Sequence, residues 1–161
     1  MALNCIIRAI SRGLLVPGFL AFFTLPAMAA ADLPKDPEAV MSYIRTAIDQ
    51  KDYEAFKKLV FWKDAGKIKK RIVRFHLSRS LGRKIKSITW EEFPEDGLQA
   101  HIDTGKMAPN MEMTNAVRVV FDEAPINDEG KMPTAVYLVG KRDGVFRIGL
   151  VNRTGFDDDD D

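Results

Sequence analysis

The chain holds two histidines, His76 and His101, and they bound the acid-base and metal chemistry open to it. A histidine-based metal site would need both, together with acids that no spacing in the sequence places beside them. The chain has no HExxH, no Gly-rich phosphate loop, no GxGxxG and no Gly-x-Ser-x-Gly elbow, so neither a metal nor a cofactor is expected. Ser78 lies two residues from His76, a spacing that turns the two side chains to different sides of a helix and argues against a nucleophile and base. His76 falls near the middle of a wide apolar arc, where a desolvated imidazole could act as a pocket acid or base. A core histidine bonded to a carbonyl or a nearby acid explains it equally. His101 and Asp103, two apart on an expected strand, form either a dyad or a solvated pair.

Binding chemistry has more candidates. Tyr43, Trp90, Tyr137 and Phe146 lie on helix or strand faces, where with His76 they would line an apolar pocket with polar tips or simply fill a core. Met107, Met111 and Met113 are adaptable side chains in one loop, suited to a lid or to packing on the domain. Residues 57–86 carry twelve Lys or Arg against the single acid Asp64. Within them Lys67, Lys70, Arg71 and Arg74 make a basic helical stripe, either a solvated face or a contact for an anionic surface. Interleaved exposed aromatics are lacking, so no nucleic-acid partner is expected. Asp157 to Asp161 are five like charges in a row, which should repel one another and could screen that stripe. Consecutive aspartates lack the spaced ligands and turn glycine of a calcium loop. Asn152-Arg153-Thr154 is a formal glycosylation sequon.

The elements that must position these residues follow from caps and periodicity. Asp36-Pro37-Glu38 starts a helix with an N-cap acid, Pro at N1 and a second acid, and Val40, Ile44 and Ile48 mark its buried face through about residue 50. Asp52 caps a shorter helix carrying Phe56, Leu59 and Val60. A third helix is expected over residues 67–81, ended by Gly82. At about 100° per residue, Ile68, Phe75, Ile72, His76, Val73 and Leu77 span an arc of roughly 200°, which predicts burial on two sides, with Lys69 and Arg79 snorkelling from within it.

Beyond Gly82 the period becomes two. Strands are expected over residues 85–93, at Leu98, Ala100 and Ile102 after a turn at residues 94–97, at Val117, Val119 and Phe121, and over 135–140 and 145–151. Residues 104–114 read as an irregular loop, and Lys141-Arg142-Asp143-Gly144 as a hairpin turn. Helices first and strands afterward mean an α+β fold with a mainly antiparallel sheet.

The start of the chain reads as an export signal: Arg8 and Arg12, an apolar run over residues 13–25, and small residues that permit cleavage after Ala29 or Ala31. Cys5 precedes that run, so a lipid anchor is not expected and the mature chain would hold no thiol. Residues 32–156 then form one domain, long enough for an ordinary core, followed by the acidic tail at 157–161. The destination is a periplasm or the exterior.

The helix pair in AVMSYIRTAIDQKDYEAFKKLV and the closing hairpin VYLVGKRDGVFRIGLV resemble the nuclear-transport-factor-2-like superfamily of cone-shaped α+β domains. The resemblance covers about residues 37–151. It implies a curved sheet wrapped on the N-terminal helices, a pocket inside the cone, and homodimers through the sheet's outer face. It transfers no catalytic residue, because that superfamily hosts isomerases, dehydratases, hydrolases and plain binding modules. The leading expectation is a non-catalytic module binding a small apolar or amphipathic ligand, or a partner. The alternatives are an enzyme using His76 or an acid, and an envelope-associated module that contacts anionic surfaces through the basic helix.

Overall fold

A computed structural model describes residues 32–93 and 98–154. The expected leader, the turn at 94–97 and the acidic tail lie outside the described residues. The caps act as their chemistry requires. Asp36 accepts the Ala39 N–H at 2.8 Å ahead of α1 (Pro37–Asp49), and Asp52 accepts the Ala55 N–H at 2.9 Å ahead of α2 (Tyr53–Leu59), each removing an orphan donor from a helix start. Helix α3 (Lys67–Ser80) begins at Gly66 with no side-chain cap. It ends through Gly82, whose φ of +72° suits a residue without a Cβ. The Gly82 N–H does not fold back on its own helix but donates to Ile48 O at 2.7 Å, tying the end of α3 to the end of α1.

Four antiparallel strands form the main sheet in the order β1 (Ile85–Glu92), β3 (Asn115–Phe121), β4 (Thr134–Arg142), β5 (Val145–Ile148). The register sets Trp90 opposite Val117, Val117 opposite Tyr137, and Val139 opposite Ile148. Alternation therefore puts Ile88, Trp90, Val117, Val119, Tyr137 and Val139 on one face. These residues join Val40, Ile44 and Ile48 of α1 and Phe56 and Leu59 of α2 in one hydrophobic cluster. The fold is α+β. The hairpin turn is Asp143-Gly144, both with positive φ (51° and 79°), the twist a two-residue hairpin needs.

Two expectations about the strands are corrected. Leu98, Ala100 and Ile102 do not make a strand: Ala100–Asp103 is a short helix, α4. Gln99 donates to Asp103 Oδ1 at 2.7 Å, one turn away, and Thr104 Oγ1 donates to Ala100 O, so local bonds satisfy this segment and the edge of β1 pairs with β3 instead. The expected last strand is interrupted at Gly149-Leu150. Its end, β6 (Val151–Arg153), pairs with β2 (Met107–Pro109) in a second, two-stranded sheet, so the methionine loop contains a strand. Asn110 fixes this corner: its side-chain amide donates to Phe61 O (2.7 Å) and Lys63 O (2.9 Å), and its Oδ1 accepts from Leu150 N (2.8 Å). Met111 is buried.

The burial expected of α3 is also corrected. Only Leu77 and Ser80 are buried on that helix, whereas Ile68, Ile72 and Phe75 are 47%, 47% and 57% exposed. The sheet face is already filled by α1 and α2 side chains, so α3 contributes one narrow stripe to the core and turns the rest of its apolar arc outward.

Candidate functional site

A cleft of about 640 Å³ lies between the second half of α3, the first half of β4 and the segment that precedes β4. Tyr137 forms its floor. The ring lies in the core, edge-on to Phe56 with centroids 5.2 Å apart, and the hydroxyl donates to Ser80 Oγ at 2.8 Å. Ser80 Oγ in turn donates to His76 O at 3.3 Å, one helical turn back. Burial pushes the Tyr137 phenol above its ordinary value, against opposing effects of the Ser80 hydrogen bond and the Arg83 charge. It is therefore a neutral donor at physiological pH.

The lining is mixed, with basic, acidic and apolar residues. His76 and Arg79 project from α3 beside Arg83. Arg83 is held rigidly: Glu123 accepts from its Nε and Nη2 at 2.7 Å each, and its guanidinium lies 3.7 Å above the centre of the Phe121 ring. The hydrogen bond to Arg83 holds the Glu123 carboxyl below the usual range. Ile126 lines the cleft with an exposed apolar side chain, whereas the side chain of Val136, next to Tyr137 on β4, alternates to the other face of the sheet. Basic side chains beside apolar lining residues make a cleft of mixed character, suited to a ligand with a charged end and an apolar part.

The predicted pocket residues separate into three places. His76 and Tyr137 meet at this cleft, though His76 is exposed rather than set in an apolar arc. Trp90 and Phe146, from the first and last strands in the sheet order, pack edge to face with centroids 5.3 Å apart. Tyr43 lies between α1 and α2, where its hydroxyl donates to Ala55 O at 3.0 Å. A second, more open cleft lies near Glu92, Asp103 and Met113. His101 is exposed on α4 rather than on a strand, and Asp103 accepts from Gln99.

Of the basic stripe, Lys67, Arg71 and Arg74 are exposed and Lys70 is half-buried. Lys69 is half-buried and does not snorkel to open water, its ammonium donating to Val151 O, and Arg79 lies over the Phe75 ring at 5.6 Å. Among the described residues no group of His, Cys, Asp and Glu is arranged to hold a metal ion, and no helix is long and apolar enough to cross a membrane. Sequence reasoning passed over Ser80, Arg83, Ile126 and Val136. Their association depends on a contact between α3 and β4 that no periodicity encodes.

No family model, no curated protein and no solved structure matches this chain.

Proposed function

We propose that this is an exported, non-catalytic binding module whose ligand is a small amphipathic anion held in the α3–β4 cleft. One observation carries the reading: Arg79 and His76 line the same cleft as the exposed apolar side chain of Ile126, above the buried Tyr137 ring. Two of the groups that could move a proton there are already engaged. Tyr137 donates to Ser80, and Glu123 is taken by Arg83. That favours a binder over an enzyme built on that phenol or that carboxylate. The Trp90–Phe146 contact between the outer strands of the sheet supports strong curvature, as in a cone-shaped domain of the nuclear-transport-factor-2-like kind.

Native mass spectrometry of the protein purified without denaturation tests the reading and reports any homodimer at the same time. A co-purifying amphipathic anion is expected, and it should be lost from Arg79→Ala. Laurate added to the bare protein should shift the ring resonances of His76 and leave those of His101 unmoved. A bare mass together with an unmoved His76 would overturn the assignment.

A further inference from the structure

We propose that α3 docks on an anionic lipid bilayer, laying Ile68, Ile72 and Phe75 into the headgroup region while Lys67, Arg71 and Arg74 contact lipid phosphates. At about 100° per residue the three apolar side chains form a single stripe along the helix, opposite Leu77. All three are exposed, whereas Leu77 is buried. Lys67, Arg71 and Arg74 follow one edge of that stripe, and Arg79 caps it from above the Phe75 ring. Residues 67–80 contain no acid, and among the described residues none of Lys67, Arg71 and Arg74 takes part in an ion pair.

In water this helix is poorly served. Cations crowd its positively polarised N-terminal turn, no side chain caps Gly66, and an apolar stripe faces solvent. An anionic, apolar-edged surface relieves all three costs together. This is the composition of a helix that lies in a membrane interface, and 14 residues are too few to span one. A second copy of the chain fits less well. The basic edges would repel each other, and one stripe of three side chains falls far short of the roughly 800 Å² that each partner buries in a standard interface.

The test is co-sedimentation of protein produced from the full chain with phosphatidylcholine vesicles, with and without phosphatidylglycerol, at low and high salt. Binding is expected only with phosphatidylglycerol and should weaken at high salt. Replacing both Arg71 and Arg74 by Gln should weaken it roughly 30-fold. Replacing both Ile72 and Phe75 by Ser should weaken it by about tenfold even at low salt. The four positions are exposed, so melting curves should show either double variant folded, and each tests the assignment if the other fails to fold. Binding that ignores phosphatidylglycerol, or that survives unchanged in the Ile72 and Phe75 variant, would overturn the proposal. So would a preference for poly-glutamate over the vesicles, which would assign the face to an acidic protein.

Discussion

Tyr137 joins core and cleft through one side chain, so its removal separates two quantities. Tyr137→Phe keeps the edge-on packing against Phe56 and leaves the Ser80 hydroxyl without its donor. It should cost about 1 kcal/mol in urea unfolding and weaken the cleft ligand. The pH dependence has a definite sign. Burial raises the Tyr137 phenol in the folded state, so its stabilising contribution is complete below the ordinary tyrosine value of about 10 and is lost as pH rises through the raised value. Urea midpoints measured above about pH 10 should fall more steeply in the parent than in Tyr137→Phe. Equal slopes would mean that the phenol is not desolvated. Asn110 is the corresponding structural residue. Its side chain makes three hydrogen bonds that close Phe61 and Lys63 against Leu150. Asn110→Leu leaves those backbone groups unanswered and should cost roughly 2–4 kcal/mol, read as a lowered urea midpoint.

Helix α3 shows how an element can be right in extent and wrong in setting. Leu77→Ala opens a hole in the core and should cost about 2–4 kcal/mol, whereas Ile72→Ser on the exposed stripe should change stability by less than about 0.5 kcal/mol. Thermal melts of the two variants check the pair, and comparable losses would show Ile72 to be buried. Gly140 constrains β4 in another way. A Cβ there would stand 2.0 Å from the Glu112 carbonyl oxygen, a backbone atom that cannot turn aside. Gly140→Ala should therefore destabilise by roughly 1–3 kcal/mol and loosen the Met111–Met113 segment. The local signals were legible. Asp36 and Asp52 set two helix starts, Gly82 the end of a third, and Asp143-Gly144 the hairpin, because each is a few-residue steric or hydrogen-bonding device. Leu98, Ala100 and Ile102 misled because three alternating positions carry little information against the Gln99–Asp103 bond. The arc of α3 misled because apolar periodicity says that a face avoids polar residues, not that another element arrives to cover it. His76 and Tyr137 were named from their own types. Their shared cleft with Ser80, Arg83 and Val136 needed the α3–β4 contact, which lies in no local pattern.

At the scale of the molecule the charges are unevenly divided along the chain. The basic residues concentrate in 57–86, and the chain closes on Asp157 to Asp161. Strand β6 passes beside the first half of α3. Lys69 donates to Val151 O, and Asn152 donates to Asp64 O just before the helix begins. Asp157 follows Thr154 by three residues, about 10 Å of extended chain, so screening of α3 by the five carboxylates is sterically open to test. A tethered polyanion competes with an external anionic surface as a local concentration that dilution does not lower. Added salt screens both contacts. Removing residues 157–161 should therefore strengthen binding to phosphatidylglycerol vesicles at low salt, by several-fold, and the difference from the full chain should shrink as salt is raised. Replacing the five aspartates by asparagine should give the same gain without shortening the chain, which separates charge from length. If neither change alters vesicle binding at low salt, the acidic end does not screen α3, and the basic face is open to its partner at all times.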